Sequence, residues 1–81
     1  MHQLTDLPRN TNATISEVVA HGDLDPIAVR LAELGFVPGE PVRVVAKGPV
    51  GGDPVLVQIG YTRFALRRSE AARVMVSAET A

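Results

Sequence analysis

Residues 25–46, DPIAVRLAELGFVPGEPVRVVA, contain a short helix, a tight turn and the start of a strand. Asp25 is a good N-cap, and Pro26 takes the first helical position, where its missing N–H removes no hydrogen bond. Gly35 supplies the C-terminal cap. The apolar face of the helix consists of Ile27, Leu31 and Leu34. A helix over residues 25–34 is too short to persist alone in water, so we expect this face to dock on a sheet.

Strand-like alternation of apolar residues precedes the helix and follows it. The alternating runs, separated by turns with glycine or proline, predict five strands, at residues 13–20, 42–47, 55–59, 62–66 and 74–76. Residues 69–72 predict one helical turn with Ser69 as its cap. Strands this short favour a small closed barrel, because closure removes exposed edges. The predicted fold is mainly β: a five-stranded barrel with an inserted α-helix at 25–34 and a helical turn near 69–72.

The inward positions of these elements predict one core. Its predicted members are Ile15, Val18, Ile27, Leu31, Leu34, Val42, Val44, Val55, Val57, Ile59, Phe64, Leu66, Val74 and Val76. Turn-favouring residues at the start of the chain predict a flexible leader over residues 1–12. The domain then covers residues 13–77, and residues 78–81 form a tail.

Composition limits the classes of protein that the chain can be. It has 81 residues, no cysteine, 46% hydrophobic residues and a formal net charge of -1. These values exclude a disordered chain, a disulfide scaffold and a cysteine metal site. No apolar stretch approaches the roughly 20 residues that a membrane-spanning helix needs, and a signal-peptide pattern is missing. We expect a cytoplasmic protein, and a domain this small favours a binding module over an enzyme with a deep cleft.

Charge is unevenly distributed along the chain. Residues 1–53 have a net charge of -3, residues 54–81 have a net charge of +2, and seven of the eight basic residues are arginine. Arginine suits planar, bidentate contact with carboxylate or phosphate. The arginines are either solvated outward positions or part of a surface for an acidic partner.

Candidate sites for chemistry are few. The loop GPVGGDP at residues 48–54 leads into a valine-rich strand, which favours a hairpin turn over a phosphate-binding loop. No serine has a positioned base, so we predict no catalytic residue and no enzyme activity. A pI of about 6.0 argues against a basic nucleic-acid surface, and no nucleic-acid partner is expected.

One pair of residues suggests a metal site. His21 and Asp23 place an imidazole and a carboxylate two positions apart in a loop, where they could hold a divalent cation loosely. A specific site needs at least three ligands, and no others are near in sequence. The two hypotheses are an ordinary polar loop and a weak iron or zinc site at His21 and Asp23, with no cofactor required.

Two segments resemble the FeoA family, the small accessory proteins of bacterial ferrous iron transport: RLAELGFVPGEPVRV at residues 30–44 and FALRRSEAARVMV at residues 64–76. The resemblance extends over residues 15–76. It implies an SH3-like barrel without catalytic residues and a partner, the membrane permease FeoB, whose cytoplasmic part binds GTP. The same barrel occurs in the C-terminal domain of iron-dependent repressors, where it can contribute metal ligands.

The resemblance predicts a non-catalytic adaptor that binds FeoB. We expect this adaptor to be cytoplasmic and to reach the inner membrane only through that partner. The predicted contact surface is the helix and its following turn, with two further arginines as a second surface: Arg30, Glu33, Phe36 and Val37, then Arg67 and Arg68. Phe36 has an alternative role, because a residue beyond a helix C-cap often fills the core. The alternative functions are a metal-responsive module, in which two protomers could share a metal, and a nucleic-acid-binding barrel.

Overall fold

The computed structural model describes residues 2–78. The described chain contains six strands, two α-helices and a 3-10 turn at Leu4–Asp6. The strands are β1 (His2–Gln3), β2 (Thr11–Val18), β3 (Pro41–Gly48), β4 (Gly52–Ile59), β5 (Thr62–Leu66) and β6 (Val74–Ala78). The helices are α1 (Pro26–Leu34), between β2 and β3, and α2 (Arg68–Ala71), between β5 and β6.

The strands form one antiparallel sheet in the order β1-β6-β2-β3-β4-β5. The register shifts at Ser16 in β2 and at Val45 in β3, and such bulges bend and twist a strand. Leu4 beside β1 and Leu66 of β5 belong to the same buried cluster, so the sheet curls around a single core. Within residues 2–78, β1 and β5 are not paired with each other and form the two edges of the sheet.

The predicted core is confirmed. Each of its members is either buried or packed against the buried cluster. The partly exposed members are Val18, Ile27, Leu34, Ile59 and Phe64. The predicted list lacks five further apolar residues that are buried: Leu4, Leu7, Ala13, Phe36 and Ala71. Among them, the burial of Phe36 confirms the alternative role given to it above.

The expected flexible leader is wrong. Leu4 and Leu7 are only 0% and 4% exposed. The backbone N–H of Leu7 donates to the carbonyl of Leu4 at 3.3 Å. Residues three apart in a 3-10 turn lie on one side, so both leucines cover the same end of the core.

The ends of the domain also differ from the prediction. β1 pairs with β6, with His2 opposite Val76 and Gln3 opposite Met75, so the packed domain already includes residue 2 and does not begin at residue 13. Ala78 is the last residue of β6, which means that the expected tail starts inside a strand. Residues 79–81 of that tail lie outside the described residues.

The predicted helix at 25–34 is confirmed, whereas several other element boundaries need correction: β3, β4 and β6 are longer than predicted, and β2 and α2 begin earlier. The first long strand covers residues 11–18 instead of 13–20. Ser69 is inside α2 and does not cap it. The Glu70 carboxylate accepts the backbone N–H of Arg67 through Oε1 at 2.8 Å, so this carboxylate closes the first turn in place of the serine hydroxyl.

Candidate functional site

Asp25 organises the start of α1. Its Oδ1 accepts hydrogen bonds from the backbone N–H groups of Ile27 at 3.1 Å and Ala28 at 3.4 Å. Its Oδ2 accepts from the backbone N–H of His21 at 2.8 Å and from Nε of Arg73 at 2.7 Å. One carboxylate therefore caps the helix, closes the preceding loop and binds an arginine from a distant part of the chain.

The ion pair of Asp25 and Arg73 is largely removed from solvent, with side-chain exposures of 4% and 11%. The hydrogen bond from Arg73, followed by that from the His21 backbone, lowers the pKa of Asp25 from 3.8 to about 2, against the opposing effect of burial. Arg73 also donates from Nη1 to the carbonyl of Ser69 at 2.6 Å. This network fixes the start of α1 against the junction of α2 and β6, and so positions the surfaces around α1.

Large apolar side chains are exposed where α1 begins. Leu24 is 93% exposed and Val29 is 58% exposed. They line an open groove of about 550 Å³, which we call the α1 patch, with Arg30 and Glu33 at its margin. Exposed apolar surface with a charged margin is typical of protein interaction sites.

A second groove lies between α1 and β5, with a volume of about 290 Å³. We call it the α1–β5 groove. Apolar and charged side chains line it together: Ile27, Arg30, Leu31, Leu34, Phe64, Ala65, Leu66, Arg67 and Glu70. Arg30 lines both this groove and the α1 patch, so the two surfaces are continuous around one side chain.

The predicted role of Phe36 as an exposed partner contact is wrong. Phe36 is 0% exposed, and its ring lies against the ring of Phe64 with centroids 5.6 Å apart. Gly35, with a φ of 114°, turns the chain at the end of α1 so that Phe36 enters the core. Its neighbour Val37 is 37% exposed and remains at the surface, as Arg30 and Glu33 do.

The predicted arginine pair lies at the start of α2, and both residues are exposed. Arg67 lines the α1–β5 groove and also a shallow groove of about 330 Å³ beside Val50, Asp53 and Pro54. The backbone N–H of Arg68 donates to Oδ1 of Asp53 at 3.1 Å, which ties α2 to the β3–β4 hairpin. The structure therefore brings Arg30 and Arg67 to one groove, and it places Arg68 toward the hairpin.

His21 and Asp23 are both exposed in the loop before α1. Within residues 2–78, no group of three or more histidine, cysteine, aspartate or glutamate side chains is placed to hold a metal ion. The nearest carboxylate in sequence, Asp25, is already engaged by four donors. One copy of the chain therefore offers two ligands at this loop, which is fewer than a zinc site uses.

Sequence reasoning identified Asp25 only as a helix cap and missed its pairing with Arg73. These residues are 48 positions apart. The residues around Arg73 contain no pattern that predicts which carboxylate it pairs with. The open groove beside Leu24 was missed for a related reason. A leucine in a polar loop is compatible with burial or exposure until the surrounding fold is known.

Comparisons with known proteins agree on one family. The sequence matches the FeoA domain over residues 2–78. A comparison with curated proteins finds no match. Neither helix in residues 2–78 has the length and hydropathy that crossing a bilayer requires.

Solved structures give the same result. The chain is similar to Stenotrophomonas maltophilia FeoA, crystallised with zinc and described as an SH3 domain protein proposed to act as a bacterial ferrous iron transport activating factor. The two share 58% identity, with 95% of this chain and 91% of that chain covered and a TM-score of 0.88. This similarity confirms the predicted SH3-like fold.

More distant solved structures share the architecture. Iron(II) transport protein A from Clostridium thermocellum is 31% identical, with 95% of this chain and 45% of that chain covered and a TM-score of 0.81. T. acidophilum IdeR is 24% identical over 96% of this chain and 34% of that chain, with a TM-score of 0.77. The similarity to IdeR establishes a shared fold and nothing about function.

Proposed function

Because the chain belongs to the FeoA family, we propose that it is a non-catalytic accessory protein of bacterial ferrous iron uptake and acts by binding the FeoB permease. The observation that carries this proposal is the 58% identity to Stenotrophomonas maltophilia FeoA over 95% of the chain. In this proposal the protein is cytoplasmic, and it is held at the inner membrane only by binding its partner.

The contact surface that we propose is centred on Arg30. This side chain lies between the α1 patch, with its exposed Leu24 and Val29, and the α1–β5 groove. Exposed apolar groups supply the contact area of an interface, and arginine is enriched in interface cores. Glu33 and Val37 extend the proposed surface along α1 and its following turn, and Arg67 with Arg68 extends it across the groove.

Co-purification with FeoB tests this proposal. Tagged protein should retain FeoB from detergent-solubilised membranes of cells that express both. Arg30→Glu should reduce the retained FeoB, and the matched control Arg43→Glu, an exposed arginine on β3 outside both surfaces, should not. Failure of the wild-type chain to retain any FeoB would contradict the proposed partner. If a folded Arg30→Glu variant retained as much FeoB as the wild type, that result would contradict only the proposed contact surface.

A metal-responsive module is the second candidate function, favoured by the zinc complex of the Stenotrophomonas maltophilia protein. Since one chain offers only His21 and Asp23 at the candidate loop, any further ligands would come from a second copy or from water. Calorimetry with Zn²⁺ and Fe²⁺, together with the oligomeric state measured in each metal, separates this function from the first. Millimolar binding that is unaffected by His21→Ala would end the metal hypothesis.

A further inference from the structure

The last strand before α2 has an open edge. β5 pairs with β4 alone, in a hairpin whose two-residue turn is Gly60-Tyr61. Gly60 has a φ of 59°, as the first position of a type II′ turn requires. The residues that flank such a turn, Ile59 and Thr62, form a hydrogen-bonded pair, and hydrogen-bonded and non-hydrogen-bonded pairs then alternate along the ladder.

This alternation identifies the free backbone groups. Phe64 and Val57 form a hydrogen-bonded pair, whereas Arg63 and Ala65 lie at non-hydrogen-bonded positions. The backbone N–H and C=O groups of Arg63 and Ala65 therefore point away from β4. Within residues 2–78, no other strand pairs with β5 and no loop backbone bonds to it. The edge offers two donors and two acceptors in the spacing of a strand.

The α1–β5 groove runs along this edge. Three successive residues of β5, at 64–66, line it, together with Arg67 just beyond the strand. Successive side chains of a strand point to opposite faces, so a groove that touches all of them must follow the edge and not one face. Its floor is apolar, with the partly buried Phe64, Ile27 and Leu34.

The charges around the edge favour an acidic occupant. Arg30 and Arg67 line the groove, and Arg63 is exposed on the strand itself. The one carboxylate in the groove, Glu70, already accepts the backbone N–H of Arg67 at 2.8 Å. Residues 54–69 contain three arginines and no acidic residue.

We propose that β5 binds an extended acidic segment of a partner protein, which adds as a further strand to the sheet and lies in the α1–β5 groove. The inference rests on the proposed function only in requiring a protein partner. Main-chain hydrogen bonds to Arg63 and Ala65 supply affinity in this mode, and alternate side chains supply specificity. Apolar side chains of the segment would face Phe64, and the acidic side chains between them would reach Arg63 on the other face.

Amide hydrogen exchange measured by NMR tests the geometry and the binding together. In the free protein, the amides of Arg63 and Ala65 should exchange rapidly, whereas those of Phe64 and Leu66 should be protected. The probe is a capped peptide of alternating valine and glutamate, and the control is the matched peptide of valine and lysine. The acidic peptide should protect the amides of Arg63 and Ala65, and the basic peptide should leave them fast.

Two variants test which groups bind the peptide. Ala65→Pro removes an N–H that β4 does not use, a change that edge strands tolerate, and Ala65→Ser is its matched control. Loss of the main-chain contact should weaken acidic-peptide binding at least about tenfold in Ala65→Pro, and Ala65→Ser should bind as the wild type does. Arg63→Glu should weaken the acidic peptide and improve the basic one. If Ala65→Pro fails to fold, an acidic peptide N-methylated on alternate backbone amides replaces it and should not bind.

Three results would overturn the inference. The first is that the amides of Arg63 and Ala65 are protected in the free protein and that sedimentation shows a dimer. That result would mean that a second copy of the chain pairs with the β5 edge. The second is equal binding of the acidic and basic peptides. The third is no binding of the acidic peptide at low salt. None of them changes the outcome of the FeoB co-purification, so failure of the strand-addition site and failure of the proposed function are distinguishable.

Discussion

Residues 2–10 and residues 19–25 flank β2 and are similar in character: each is a bent polar segment that contains aspartate and leucine. In each, an aspartate accepts a backbone N–H from a residue shortly before it. Asp6 accepts from Gln3 at 3.0 Å, and Asp25 accepts from His21 at 2.8 Å. Their leucines nevertheless differ completely, since Leu4 is 0% exposed and Leu24 is 93% exposed.

The difference shows what local sequence does and does not determine. The aspartates fix where the chain bends, because their carboxylates bond to nearby backbone N–H groups. Which leucine is buried depends on the sheet. β1 pairs with β6 and brings Leu4 onto the core, whereas the second segment is held at its base by Asp25 and Arg73 and presents Leu24 to solvent. The first segment therefore stabilises the fold, and the second is available for binding.

The largest expected effect extends this contrast to the turn after α1, where a buried residue and an exposed residue are adjacent. Phe36→Ala should lower the free energy of unfolding by about 3–5 kcal/mol, because it leaves a cavity beside Phe64. Val37→Ala is the matched control and should change stability by less than about 1 kcal/mol. Urea denaturation followed by circular dichroism measures both. Equal midpoints for the two variants would contradict the burial of Phe36.

The leucine pair tests the comparison directly. Leu4→Ala should lower the free energy of unfolding by about 2–5 kcal/mol, since its side chain is fully buried. Leu24→Ala should change it by no more than about 0.5 kcal/mol. The same denaturation experiment compares them. A negligible effect of Leu4→Ala would restore the interpretation of residues 1–12 as a flexible leader.

Much of the fold follows from residues that act locally. The Asp25 cap, the Ile27 and Leu31 stripe and the Gly35 cap define α1 without reference to the rest of the chain. The alternation in β3, β4 and β5 does the same for the strands. β1 was unpredictable because it has only two residues. Its partners in β6 are distant in sequence: Val76 lies opposite His2, 74 positions away, and Met75 lies opposite Gln3, 72 positions away.

Less of the candidate site could be predicted. The helix period identified Arg30 and Glu33 as outward residues, and Val37 was placed beside them in the turn after the helix, but the same reasoning left the burial of Phe36 open. The meeting of Arg30 with Arg67 in one groove depends on how α1 docks beside β5, which is a property of the whole curled sheet. His21 and Asp23 do lie in a loop, as the metal-site hypothesis expected. Among residues 2–78, however, the fold brings no third ligand to them.

The smallest expected effect on stability concerns Asp25, at the end of residues 19–25, and it depends on pH. The lowered pKa of Asp25, from 3.8 to about 2, contributes stability that is fully present above the unfolded-state value and is lost as pH falls through about 2. Asp25→Asn removes this contribution. Its urea midpoint should lie below that of the wild type at pH 6, and the gap should narrow between pH 4 and pH 2. Asp23→Asn, an exposed neighbour, should follow the wild type. A pH-independent gap would contradict the ion pair with Arg73.

Ferrous iron uptake in a bacterial strain that lacks its own FeoA protein tests the central claim most directly. The wild-type chain and the control Arg43→Glu should restore uptake, and Arg30→Glu should restore little of it although its circular dichroism and urea midpoint match the wild type. Restoration by all three proteins would contradict the proposed working surface. Failure of the folded wild-type chain to restore uptake in the presence of its own FeoB would contradict the proposed function.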